Sequence, residues 1–368
     1  MTRTMILLTA GLALAASAAW LVSCGPTGFA DEALVNGVRI LATRADLPYA
    51  KPGDTVTLSV LAVDGRTRAP GQEPMVVYWF PVALAPPFSR PLPPEDFVCE
   101  DPANDAYYAC FSSLVALLGD AGAKVIAPGV DLSSFVPKGP TFSVPLSSDI
   151  ITKHPPVQGT DPYGMAIVFN MACAGHPELL APNSSDRSFN QVPIGCFDKN
   201  GNRLDSDSYV VGYTTIYAYD ALTNANPVIS HMVYQGNDMD GGFVGDSSTA
   251  RVPFVDGDIA VDPCAETNTK DCPTYSFDLV VPSSSWEVDP QNHPNGQPLH
   301  EQIWVDYYWT TGTFSDDSRL VYDPAQGYVG KTAVSWTAPA DAGPATFWAV
   351  VHDNRGGVAW DVVPFKVQ

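Results

Sequence analysis

The stretch from Asn237 to Asp271 holds eight carboxylates, Asp238, Asp240, Asp246, Asp256, Asp258, Asp262, Glu266 and Asp271, against only Arg251 and Lys270. Clustered oxygen ligands suit calcium, and Asp238-x-Asp240-Gly and Asp256-Gly-Asp258 each offer a pair of them. The spacing fits no defined calcium loop, and Asp is equally the residue that turns use to bond their own backbone. Both readings stand at this level, with calcium the only cofactor expected. A second chemistry is stacking on sugars. Tyr307, Tyr308, Trp309, Trp348 and Trp360 fall in strand-like runs, where alternation sends neighbours to opposite faces. Most are expected in a core or packed on a sheet face, the remainder free to bind. Cysteines come third. Apart from Cys24, the chain has Cys99, Cys110, Cys173, Cys196, Cys264 and Cys272. Their even number predicts disulfides, and local pairing as 99–110, 173–196 and 264–272 is the simplest of the possible connectivities. Each bridge is expected to brace a loop rather than a core. No Cys-x-x-Cys occurs and no His sits at finger-like spacing, which argues against zinc.

Catalysis finds little support. Gly245-Asp246-Ser247-Ser248 resembles the nucleophile block of GDS-type hydrolases. Those enzymes place the nucleophile early on an α/β fold and carry a late Asp-x-x-His, and Asp289 to His293 has the wrong spacing. Ser247 is therefore kept only as the remote alternative of an exported hydrolase. The six His are scattered, and Gly-x-Ser-x-Gly, phosphate-loop and dinucleotide fingerprints are absent. Asp198-Lys199-Asn200-Gly201-Asn202 begins like an EF-hand loop, then places Arg203 where that loop needs Gly. It reads as a hairpin turn. The chain is read as a non-enzyme.

The elements that would position such residues are strands. Residues 55–63 alternate polar and apolar between the turns Lys51-Pro52-Gly53-Asp54 and Asp64-Gly65. Short runs rich in β-branched and aromatic residues recur at 75–80, 165–171, 209–219, 275–281, 303–309, 332–336, 346–351 and 358–367. Gly and Pro, 29 and 34 in number, fall mostly between the runs, which fits many loops joining antiparallel strands. One stretch differs. Tyr107, Phe111, Leu114, Val115 and Leu118 recur at helical spacing inside a Pro-rich region, predicting an amphipathic helix over 105–118.

The 368-residue chain carries 40 acids against 19 bases, a formal charge of −21 that repels phosphate backbones and excludes nucleic acid as a partner. Arg3 precedes an uncharged apolar run, the grammar of a signal peptide. The run ends in Leu21-Val22-Ser23-Cys24, which resembles the bacterial lipobox. That resemblance implies cleavage after Ser23 and acylation of Cys24, with several acyl chains holding the protein to a membrane. Gly25-Pro26, with no Asp after the Cys, implies by lipoprotein sorting rules the outer membrane, in periplasmic or surface-facing orientation.

Residues 344–367, with a strand ending in Asp353, a Gly-Gly turn and a closing strand, resemble the F–G hairpin of bacterial Ig-like and PKD-like domains. Trp304–Trp309 and Val334–Pro339 fit the C and E strands of the same plan. In the first half 55–63, 75–80, 141–146, 163–172 and 209–219 fit B, C, E, F and G. The resemblance implies an all-β protein of two tandem Ig-like β-sandwich domains, the first with a helical, Pro-rich insertion. The expected boundaries are 1–23 signal peptide, 24–36 tether, 37–225 first sandwich with its insertion at about 81–140, and 226–368 second sandwich, joined near Thr223-Asn224-Ala225-Asn226-Pro227. Such a scaffold hosts many functions. It leads to a lipid-anchored cell-envelope protein with a binding or structural role, partnered by the membrane through Cys24 and by an envelope protein or glycan. A calcium- or carbohydrate-binding surface adhesin is the alternative.

Overall fold

In the computed structural model, residues 32–68, 71–80, 129–153, 161–180, 194–239, 259–266, 269–292 and 296–368 are described. The expected 105–118 helix and the bulk of the expected insertion lie outside them. The first half contains β1 (Val38–Ala45), β2 (Tyr49–Ala50), β3 (Thr55–Asp64), β4 (Val76–Phe80) and β5 (Thr141–Pro145). A single helical turn, α1 (Ile150–Lys153), precedes β6 (Tyr163–Cys173), β7 (His176–Leu179), β8 (Ile194–Phe197) and β9 (Tyr209–Tyr219). The second half contains β10 (His231–Tyr234), β11 (Asn237–Asp238), β12 (Ile259–Val261), β13 (Thr274–Val280), β14 (Val288–Asp289) and β15 (Leu299–His300). It continues with β16 (Ile303–Trp309), β17 (Thr313–Phe314), β18 (Ser318–Asp323), β19 (Gly327–Tyr328), β20 (Val334–Thr337), β21 (Gly343–Asp353) and β22 (Val358–Val367).

Strand pairing repeats between the halves. In the first, β1-β3-β5 form one sheet and β2-β9-β6-β4 the other. In the second, β11-β10-β13-β20-β17 form one sheet and β12-β22-β21-β16-β18-β19 the other. Each half has a three-strand antiparallel core in one sheet (β1-β3-β5, β10-β13-β20) and a G-F-C order in its partner (β9-β6-β4, β22-β21-β16). In each, a short strand from early in the half runs parallel to the last strand, Tyr49 opposite Tyr217 and Ile259 opposite Phe365. This is the pairing scheme of an Ig-like sandwich. The strands expected as B, C, E, F and G in the first half, and as C, E, F and G in the second, occupy those places.

Period-two alternation explains how the sheets stack. On β3, Val56, Leu58 and Val60 face β6 and β9 across the first sandwich, meeting Val168, Ile216 and Trp79 in an aliphatic core. Leu61 and Val63 on the same strand point the other way, into a cluster with Leu41, Trp348, Val350 and Val358. The outer face of β1-β3-β5 is thus covered by β21 and β22 of the second half, and Val35–Gln368 forms one compact unit. The second sandwich is filled by rings. Phe347 lies 4.8 Å from Phe277, 5.0 Å from Phe314 and 5.4 Å from Tyr307, and Trp336 meets Phe365 edge-on at 4.8 Å.

The connection from β6 to β9 carries a hairpin, β7 paired with β8, that folds back over the outer face of β4 and β6. Cys173 and Cys196 form a disulfide there. Both are fully buried beside Phe80, Met171, Leu132 and Ile194. This corrects the expectation that the bridge would brace a loop. It ties the hairpin into an apolar core, because the hairpin has no other face to bury. Cys264 and Cys272 are also bridged.

Candidate functional site

The most concentrated polar chemistry among the described residues lies at the join of the halves. β21 ends at Asp353 and reverses through Asn354-Arg355-Gly356-Gly357 into β22. The Asp353 carboxylate holds this turn by accepting the amides of Arg355 at 2.7 Å and Gly357 at 2.8 Å. A side chain at Gly357 would overlap that carboxylate, so the turn requires glycine there. The reversal aims the Arg355 side chain inward. Its Nε donates to Glu301 Oε2 at 2.7 Å, Nη2 to Glu287 Oε2 at 2.9 Å and Nη1 to the Thr223 carbonyl at 3.0 Å. The guanidinium also stands 5.7 Å from the Tyr49 ring centre. Glu301 is fully buried, and its second oxygen accepts the Glu287 amide at 3.0 Å.

The link is caught between these groups. Asn224 Nδ2 reaches Asp353 at 3.3 Å. Asn226 donates to the Ala45 carbonyl at 2.8 Å and accepts the Val358 amide at 2.8 Å, so one side chain bonds both halves. Arg44 lies over the Trp360 ring at 5.0 Å beside it. A join expected from polar, Pro-bearing composition is in fact fixed by directional bonds. The electrostatics are those of a crowded, dry site. Burial pushes Glu301 up to about 7, with the Asp353 charge adding to the rise and the Glu287 amide and Arg355 opposing it. Burial likewise raises Asp353.

The residues nominated from sequence fare differently. Asp238 lies in β11, its backbone paired with Val233. Asp240, Asp256 and Asp258, together with Ser247, Cys24, Cys99 and Cys110, lie outside the described residues. Among the described residues no group of three or more His, Cys, Asp or Glu is placed to hold a metal. None of the described helices is long and apolar enough to cross a membrane. Asp198 makes the expected turn, its amide donating to the Asn202 carbonyl at 2.9 Å and its carboxylate accepting the amides of Asn200 and Asn202.

Of the nominated aromatics, Tyr307, Trp309 and Trp348 are buried, and Tyr308 and Trp360 pack against the cluster between the halves. The exposed rings stand elsewhere. Trp286 stacks on Tyr322 at 4.9 Å and on Tyr328 at 5.8 Å, and Tyr328 is 58% exposed. His300 Nδ1 pairs with the Trp286 carbonyl at 2.8 Å, fixing this shelf to β15.

Sequence reasoning did not single out Arg355, Glu301, Glu287 or Trp286. The partners of Arg355 lie 54, 68 and 132 residues away, so no local spacing announces them. One signal was present. In a chain with only 16% charged residues, Glu301, two residues before the run at 303–309, and Arg355, directly before the Gly356-Gly357 pair, stand at the ends of strands.

No protein-family model and no curated protein matches the chain. Among solved structures it is similar to the D0–D1 domain of intimin, at 11% identity over 89% of this chain and 98% of that one, with a TM-score of 0.18. It is also similar to E. coli alpha-2-macroglobulin in its native conformation, at 10% identity over 92% of this chain and 17% of that one, with a TM-score of 0.22. A third is dimeric latent PorU from Porphyromonas gingivalis, at 11% identity over 91% and 24%, with a TM-score of 0.17. The chain spans less than a quarter of the macroglobulin and about a quarter of PorU. At these TM-scores the fold rests on the chain's own strand pairing, a nearly all-β, Ig-like arrangement with a buried ionic join.

Proposed function

We propose that this protein is a lipid-anchored component of the bacterial cell envelope that serves a binding or structural role and performs no catalysis. The observation that carries the reading is the join. Two sandwich halves built on one plan are held by a link whose side chains bond both of them. A bracing or presenting element needs that property, since a fixed link keeps one end oriented relative to the other. Leu21-Val22-Ser23-Cys24 supports the anchor and the bridged cysteines support an oxidising compartment. The test is metabolic labelling with an alkyne palmitate analogue, followed by membrane fractionation. Label on the wild type, with Cys24→Ala unlabelled and soluble, is the expected outcome. An unlabelled wild type removes the anchor.

A second reading, a carbohydrate-binding adhesin, is favoured by the exposed ring of Tyr328 stacked on the half-buried Trp286, which also stacks on Tyr322. Flat faces of this kind stack on pyranose rings. Binding on a glycan array, lost in both Trp286→Ala and Tyr328→Ala, supports it. A wild type that binds nothing on the array removes it.

A further inference from the structure

The join holds more negative charge than its one guanidinium balances. Arg355 faces Glu301 and Glu287 directly, and Asp353 closes the same turn two residues away. Glu301 and Asp353 are buried, and Glu287 is partly exposed. Among the described residues, Arg355 is the cation that acts on Glu301 and Asp353. Tyr49 faces Arg355 from β2 as a neutral phenol, kept so by burial and by the charges of Asp289 and Asp353 nearby. Asn224 and the Thr223 carbonyl complete the shell. With both buried carboxyls ionised, two negative charges meet one positive charge in the dry part of the join, and Glu287 adds a third at its solvent edge. A buried ion is tolerated only when it is balanced, and the least costly remedy is to bind a proton.

We propose that the buried carboxyls of Glu301 and Asp353 beside Arg355 form a proton-operated latch, which fixes the Thr223–Asn226 link while one of them is protonated and slackens it when that proton leaves. Glu301 is the seat. It is the more deeply buried of the two, its oxygens taken by Arg355 and one backbone amide, whereas Asp353 accepts two backbone amides and the Asn224 side chain. Its rise to about 7 agrees with that placement.

The sign follows from the direction of the shift. A carboxyl raised in the folded state contributes its full stability below the ordinary carboxylate range, and that contribution is lost as pH climbs toward and through neutrality. Slackening is therefore expected on the alkaline side. It is expected at the link first, because the cluster bonds the link from the second half. The inference concerns the join alone and stands whether or not Cys24 is acylated.

The experiment is amide hydrogen exchange of the full chain at pH 6 and pH 8.5, corrected for the intrinsic base dependence of exchange. Protection at the amides of Ala225, Arg355, Gly357 and Val358 should fall about tenfold, the effect of one unit of carboxyl titration. Amides in the middle of β6 should not change. In Glu301→Gln, which cannot ionise, the fall should vanish. Equal protection at both pH values, or a fall of the same size in Glu301→Gln, overturns the latch. Should Glu301→Gln fail to fold, the wild-type protein decides through its carboxyl 13C titration. A Glu301 midpoint between about pH 6 and 8 supports the proposal, and one below about pH 5 overturns it.

Discussion

The two halves of the molecule share a strand order and fill it with different chemistry. Between β1-β3-β5 and β2-β9-β6-β4 the core is aliphatic, Val56, Leu58, Val60, Val168 and Ile216 with Trp79 as its one large ring. Between the corresponding sheets of the second half, Phe277, Phe314, Phe347, Phe365, Tyr307 and Trp336 touch ring to ring. The difference separates two determinants that are easily confused. Alternation and turns set which strand pairs with which, while the space between sheets accepts any set of apolar side chains of the right volume. The halves differ again in their outer faces. In the first, both faces of β4 and β6 are buried, one by the sandwich and one by the bridged β7–β8 hairpin, while β9 leaves Tyr213 exposed.

That contrast can be broken at its centre. Phe347 is fully buried at the meeting point of the ring cluster, and Phe347→Ala should cost about 3–5 kcal/mol in urea unfolding. Leu58→Ala, in the aliphatic core, should cost about 2–5 kcal/mol and fall at the lower end, because small neighbours can close on the gap. Combining the two sharpens the comparison. The losses should add if the cores are independent, whereas a coupling above about 0.5 kcal/mol would show that the shared cluster of Leu61, Val63, Trp348 and Val350 transmits between them. Replacing Cys173 and Cys196 together by Ala should cost about 2–4 kcal/mol and leave the second half's near-ultraviolet circular dichroism unchanged. Loss of the ring signal in that variant would mean that the first half's outer layer supports the second sandwich.

Much of the strand plan was legible because alternation is local. β3, β6, β9, β16 and β22 fall within a residue or two of the runs read from sequence. β1 was not legible, and its register explains why. A bulge between Ile40 and Ala42 puts Ile40, Leu41 and Ala42 in succession, which breaks the period of two on which the reading depends. β18 escaped because Ser318-Arg319-Leu320 sits near a sheet edge with little apolar signal. The join was illegible for a different reason. Arg355, Glu287 and Glu301 come together only when the second half has folded, and Thr223 joins them only when the link docks, so their meaning is tertiary. The exposed shelf was obscured by abundance. With 39 aromatic residues in the chain, runs such as 303–309 drew attention to rings that prove to be core, while Trp286 stood alone in its segment.

The parallel pairings of β2 with β9 and of β12 with β22 also set a timetable. In each half the early strand waits for the last strand to be made, across 168 residues between Tyr49 and Tyr217 and 106 between Ile259 and Phe365. The last strand in turn lies between that early strand and the antiparallel centre of its sheet. During synthesis from the N-terminus neither sandwich can close until its final segment has emerged, and contacts of such long reach form slowly. The growing chain therefore stays open for most of its synthesis, with β6 and β21 lacking a neighbour on one side. Unpaired edges of that kind invite association with other chains, so the interval before closure is when the protein is most exposed to misassembly.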